Sequence, residues 1–250
     1  DEEFYLALGA LQLFREEPQG AQEAFERAAE LAPDSSAPLV RLAELHLSRG
    51  QELKAQHALT KAVRVNASDA NASRLLARLS WRQGDLRAAR DLYAQAARSQ
   101  VPDSEAAEEM GHYLREAKAL SEAAEYYRSS ISQGGGTRRG LVMAYAEVLE
   151  ELKRGPLAEQ VLTFGMGQFQ DDPMFSLRLG ELLFDQGRAV EARALFEQAL
   201  SVESALPEAH VALGRIALQQ GDAELASQFL KRGLRYDPYH QEALELLRQI

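Results

Sequence analysis

Four glycines set the arithmetic of this chain. Gly50 and Gly84 lie 34 residues apart, Gly187 and Gly221 lie 34 apart, and Gly84 to Gly187 is 103, three periods plus one. Around them one pattern returns: "LARLSWRQGDLRAARDLYAQAA" at 76–97, "LGELLFDQGRAVEARALFEQAL" at 179–200 and "LGRIALQQGDAELASQFLKRGL" at 213–234. Units near 2–35, 36–69, 70–103, 104–137, 138–172, 173–206 and 207–240 follow, with the extra residue assigned to the fifth. A unit this short cannot bury its apolar face alone, so such a period specifies a stack in which each unit covers the next.

The slots within a unit say how it packs. Slot 8 is small in Gly9, Ala43, Ala77, Gly111, Gly180 and Gly214, and slot 20 in Ala21, Ala55, Ala89, Ala123, Ala192 and Ala226. Slot 24 is large in Phe25, Leu59, Tyr93, Tyr127, Phe196 and Leu230; slot 27 is small again in Ala28, Ala62, Ala96, Ser130, Ala199 and Gly233. Large facing small at fixed offsets suits two closely crossing helices, one over slots 2–14 and one over 18–31. Pro33, Pro102 and Pro238 punctuate unit ends. Ala, Leu, Glu, Arg and Gln dominate, and no window alternates as a half-buried strand would, so the chain is expected to be all-α.

The fifth unit departs from the pattern. Tyr145 falls in the small slot, Pro156 follows Gly155 at the inter-helix turn, and Gly165 and Gly167 interrupt the second helix, so a looser joint is expected there. After the seventh unit, Leu244, Leu247 and Ile250 continue an apolar face, and 241–250 is expected to cap the stack or begin a further unit.

The 34-residue period with these small and aromatic slots resembles the tetratricopeptide repeat over essentially the whole chain. The resemblance implies a single right-handed superhelical solenoid of antiparallel helix pairs spanning 1–250. It also implies that the first helices line a concave groove through slots 2, 5, 9, 12 and 13, where a peptide or helix of a partner protein binds. A fold shared so widely does not name the partner.

Charge and composition narrow the classes of function. The formal net charge of −10 disfavours a nucleic-acid or anionic-membrane binder, and no run of apolar residues is long enough to insert directly into a membrane. Cysteine is absent, which removes thiol chemistry and leaves the compartment open between cytoplasm and periplasm. The acidic start, Asp1, Glu2 and Glu3, is unlike a signal segment, and the lack of an initiator Met is read as a processed or excised chain.

His46, His57, His112, His210 and His240 show no metal-ligand spacing and are read as structural or solvated. "GGGTRRG" at 134–140 lacks a phosphate-loop context and is read as a flexible connection with Thr137 as a helix cap. The adjacent acids Glu108/Glu109 and Glu150/Glu151 are read as solvated surface. No catalytic residue, metal or cofactor is assigned.

What remains is the groove. In the third unit Arg74, Arg78 and Arg82 recur every four residues beside Trp81, a cationic stripe that either receives an acidic peptide or is neutralised from neighbouring slots by Glu44 and Glu108. Toward the C-terminus Val142, Leu149, Met174, Leu177, Phe184, Val211 and Leu218 form an apolar ladder, expected to take the apolar face of a partner helix or extended segment. The lysine and asparagine set of the chaperone-binding subclass is missing, with Leu6 and Ala10 in the first clamp positions. The asparagine ladder of the glycosyltransferase-linked repeats is missing as well.

The expected role is therefore a protein-binding scaffold or adaptor in a bacterial multiprotein assembly of envelope, secretion, pilus or motility type. The alternatives are a self-assembling structural module and the regulatory or targeting part of a larger protein.

Overall fold

The computed structural model describes residues 1–98 and 104–250, and among these every regular element is helical. Pro102 lies outside the described residues. The helices fall into two compact units, Asp1–Gly136 and Thr137–Ile250. The first holds α1 (Glu2–Phe14), α2 (Pro18–Leu31), α3 (Ala37–Ser48), α4 (Glu52–Val65), α5 (Ala70–Arg82), α6 (Leu86–Ala97), α7 (Ser104–Glu116) and α8 (Leu120–Ser132). The second holds α9 (Arg139–Glu151), α10 (Gly155–Gln168), α11 (Pro173–Asp185), α12 (Ala189–Val202), α13 (Pro207–Gln219), α14 (Ala223–Tyr236) and the short α15 (Gln241–Leu247). A 3-10 turn at Gly135–Thr137 joins α8 to α9.

In each unit the helices pack as successive pairs, and each pair rests on the next. Neighbouring first helices also touch within each unit, α5 with α7 in the first and α11 with α13 in the second. The slot pattern explains this packing. Phe25, Leu59, Tyr93, Tyr127, Phe196 and Leu230 are all buried, and Phe25, Tyr127, Phe196 and Leu230 lie directly against Gly9, Gly111, Gly180 and Gly214 of their partner helices. A Cβ on Gly111 would fall 2.5 Å from the Tyr127 ring, closer than any side chain tolerates.

The turn from first to second helix is the same seven times. Glu16, Gly50, Gly84, Lys118, Lys153, Gly187 and Gly221 each adopt a positive φ. The next amide reaches back to a carbonyl of the first helix, as in Asp85 N to Ser80 O at 2.9 Å and Ala119 N to Leu114 O at 2.8 Å. Helix ends closed in this way leave fewer orphan carbonyls, and left-handed residues at this position are what the closure requires.

Two expectations about the fifth unit change. Second helices begin at 18, 52, 86, 120, 155, 189 and 223, and α9 begins 35 residues after α7, so the extra residue lies in the connection between α8 and α9. The small slot of that unit is then Ala146, fully buried, and not Tyr145. The second change concerns Gly165, which is no loose point: the Phe175 ring lies directly on it, 2.3 Å from where a Cβ would stand, and Phe175 stacks on Phe169 at 5.3 Å. Nothing lies close to Gly167.

Thr137 belongs to the 3-10 turn, and Arg138 occupies the cap position of α9 without a side-chain hydrogen bond. Arg139 instead pairs with Asp172, the residue that caps α11 by accepting from Met174 N at 2.9 Å. Burial opposes the Asp172 carboxylate, but the hydrogen bonds from Arg139 and Met174 prevail and hold it below the ordinary range.

Candidate protein-binding face

In the first unit the face made by α5 and α7 carries an open depression of about 600 Å³. Its lining includes Arg78, Trp81, Tyr93, Glu109, His112, Arg115, Glu116 and Lys118. Trp81 forms the aromatic wall, edge-on to Tyr93 at 6.5 Å and to Tyr113 at 5.9 Å, which fixes the indole without covering it. The Tyr93 phenol is fully buried beneath; burial first, and the Glu109 carboxylate second, push its pKa above the ordinary phenol range.

The arginine stripe is neutralised, but from other positions than Glu44 and Glu108. Arg74 pairs with Glu105 at 3.0 Å and with Glu109 at 3.4 Å, Arg78 pairs with Glu109, and Arg82 pairs with Glu52 at 2.9 Å. The hydrogen bond to Glu109 is the main cause that raises the Arg78 pKa. Glu44 is engaged by Arg41 at 3.0 Å, and Glu108 lies 3.6 Å from His112. Glu109 is therefore not solvated surface; its side chain is only 17% exposed.

In the second unit α9, α11 and α13 frame a second depression of about 390 Å³ with a different charge pattern. Arg178 is held between Glu150 at 2.7 Å and Glu181 at 3.3 Å, while Asp185 and Arg215 complete the rim. Burial raises Glu150 despite Arg178, with Glu181, Glu147 and Asp185 adding like-charge repulsion. Burial likewise raises Glu181 against the pull of Arg178 and Arg215. Glu150 is thus an ion-pair partner at the rim of a cleft, not a solvated acid.

The apolar ladder divides. Val142 and Leu149 are fully buried, and Leu177 and Val211 are each 2% exposed, so all four belong to the packing between helices and are withdrawn from the candidate surface. The register explains the first two. With Ala146 in the small slot, groove slots 5 and 12 of that unit fall on Met143 and Glu150, one residue beyond Val142 and Leu149. Val211 packs with Leu230 and Ala243 under α15. Met174, Phe184 and Leu218 remain half-buried on the first helices, and the Arg215 guanidinium lies 4.6 Å above the Phe184 ring.

Four of the five histidines have local partners, and His57 is exposed. His46 bonds Gln51 at 2.9 Å, His210 bonds the Ser204 carbonyl at 3.1 Å and stacks on Tyr236, and His240 accepts from Ala243 N at 3.4 Å. His112 shares a hydrogen bond with the Tyr127 hydroxyl at 2.8 Å. Among the described residues no cluster of three or more potential ligands gathers as a metal site would need, and no helix is long and apolar enough to cross a membrane.

Two tetratricopeptide-repeat family models match the chain, one over residues 15–79 and 183–250 and the other over 74–136 and 157–205. The chain belongs to the tetratricopeptide-repeat family. Its members are helical-repeat scaffolds and in general protein-interaction modules, not catalysts.

No curated protein sequence matches. Among solved structures, the C-terminal part of a TPR repeat-containing protein from Cytophaga hutchinsonii is similar with a TM-score of 0.76 at 15% identity, covering 99% of each chain. Pseudomonas aeruginosa pilF is similar with a TM-score of 0.60 at 19% identity, over 86% of this chain and 97% of that one. MamA from Desulfovibrio magneticus gives 0.57 at 17% identity, over 69% and 97%. At these identities the likeness is one of fold.

Proposed function

We propose that this tetratricopeptide-repeat chain is a scaffold that holds a peptide or helix of a partner protein against the exposed face of its first helices. In doing so it brings together components of a bacterial assembly of envelope, secretion, pilus or motility type. The observation that carries the reading is the first-unit depression. It is an open cleft walled by the only tryptophan, rimmed by cationic side chains in a chain of net charge −10, and not filled by the chain's own residues. Half-exposed aromatics beside cations are the surface groups that anchor protein partners. Met174, Phe184 and Leu218 supply the corresponding apolar contacts in the second unit. The bacterial origin of the similar folds supports the setting.

The test compares partners captured from source-cell lysate by the parent chain and by an Arg78→Glu, Phe184→Glu variant whose helicity is unchanged by circular dichroism. A partner lost only from the variant is the expected result. Identical partner sets would move the working surface to the second helices or the stack ends.

A further inference from the structure

The seven identical turns are not occupied by identical residues. Four use glycine, at Gly50, Gly84, Gly187 and Gly221, while Glu16, Lys118 and Lys153 adopt the same left-handed backbone with φ of 60°, 61° and 58°. Nothing lies within 4 Å of where a Cβ would stand at those four glycines, so the backbone angle and not crowding favours glycine there. A residue with a Cβ is less stable in that conformation than glycine.

Lys118 gains nothing local in return. Its side chain is exposed, and no carboxylate among the described residues pairs with it. It does stand at the rim of the first-unit depression, where Arg115 and His112 lie three and six residues back on α7 and Glu116 is the acid beside it. Strain kept where a side chain meets a cleft is the pattern expected of a binding residue.

We propose that Lys118 is a ligand-contacting cation that makes this depression select a carboxylate-bearing segment of a partner, laid along Trp81. The proposal rests on the reading that the first-helix face binds protein segments, and it assigns that face a chemistry. The arginine stripe does not supply this chemistry, because Glu52, Glu105 and Glu109 already neutralise it. The Lys118 ammonium offers three donors on a flexible stem and adapts to a carboxylate on either a side chain or a C-terminus. A chain of net charge −10 repels acidic segments at long range, so a local cation decides which of them dock.

Trp81, the single tryptophan, reports occupancy of the cleft by its own fluorescence. The full chain in low-salt buffer is titrated with an acetylated, amidated peptide alternating glutamate and leucine. A copy with glutamine for glutamate is titrated as amide and as free acid. A shift of Trp81 emission with the glutamate peptide identifies side-chain carboxylates, a shift with the free acid identifies a terminal one, and the glutamine amide is expected to do nothing.

Lys118→Gly is expected to raise the thermal midpoint by about 2–4 °C while weakening carboxylate binding about 5-fold or more. Lys118→Arg should keep the affinity. Glu16→Gly should raise the midpoint and leave binding as it is. If Lys118→Gly binds as tightly as the parent while Arg78→Glu loses binding, the face binds peptides but the role given to Lys118 is wrong. If no peptide moves Trp81 emission, the proposal falls together with the reading of the first-unit face.

Discussion

The two depressions are built on the same helical positions and carry different chemistry. Slot 9 holds Arg78 and His112 in the first unit but Glu147, Glu181 and Arg215 in the second; slot 12 holds Trp81 and Arg115 against Glu150, Phe184 and Leu218. In the first unit two arginines share a carboxylate, Glu109, and an indole stands open beside them. In the second, two carboxylates share an arginine, Arg178, and the aromatic ring is covered by another. The contrast separates the residues that make the fold from those that use it. The small and large packing slots recur in both units, while the exposed positions one and four residues away vary freely without disturbing a helix.

The strongest test of that separation concerns the two units as folding bodies. Phe196→Ala empties a fully buried slot and should cost about 3–5 kcal/mol. In urea, far-ultraviolet circular dichroism follows all helices, whereas Trp81 fluorescence reports the first unit alone. An early loss of helicity with an unmoved Trp81 transition is expected; coincident shifts in both signals would make the two units one cooperative structure.

A smaller effect distinguishes the charge patterns. Arg178→Ala strands Glu150 and Glu181 in a half-buried site and should cost about 1–3 kcal/mol at pH 7. Arg78→Ala, at a more exposed pair, should cost less than about 1 kcal/mol in the same denaturation assay. Equal losses would mean that the difference in burial has no energetic meaning.

The acids themselves give a pH signature with a definite sign. Glu150 and Glu181 are raised above their unfolded values, so the folded second unit takes up protons before the unfolded chain does. Stability should therefore rise as pH falls from neutral toward the ordinary glutamate range, and the penalty is fully present above the folded values. Asp172 runs the other way. Its lowered value contributes stability above the ordinary aspartate range, lost only as pH falls through the folded value, and it leaves the 5–7 window unaffected. The urea midpoint by circular dichroism at pH 7, 6 and 5 checks the rise, and Glu150→Gln with Glu181→Gln should flatten it.

The smallest prediction sets neighbours against each other. Gly167→Ala, with nothing close to the new methyl, should stabilise α10 by about 0.5–1 kcal/mol, whereas Gly165→Ala should destabilise it against the Phe175 ring. Thermal midpoints of the two variants suffice, and equal stabilisation by both would contradict the close approach of Phe175.

Much of this was written in the sequence because a repeat states each packing rule several times. Slot 24 large over slot 8 small was readable from Tyr127 and Gly111 alone, and it is the contact found. The fifth unit was harder because one copy without a nearby glycine anchor cannot say where an extra residue lies. An uninterrupted count puts Tyr145 in the small slot and Val142 and Leu149 on the groove side, whereas the helix turns Ala146 into that slot and buries Val142 and Leu149. Adding 34 to Gly84 reaches Lys118, so the strained lysine was within reach of simple counting. The pairing of Arg78 with Glu109 was not, since it depends on how far α5 and α7 are turned toward each other.

The turn that absorbs the odd residue has a practical meaning. Gly134, Gly135 and Gly136 lengthen the path between α8 and α9, while the second helices before and after them keep their 34-residue spacing. A chain that already tolerates a register change there offers a splice point: an epitope, a fluorophore-bearing loop or a cleavage site placed beside the exposed Gly134, and not at the buried Gly135, would tag the molecule without rephasing either run of helices.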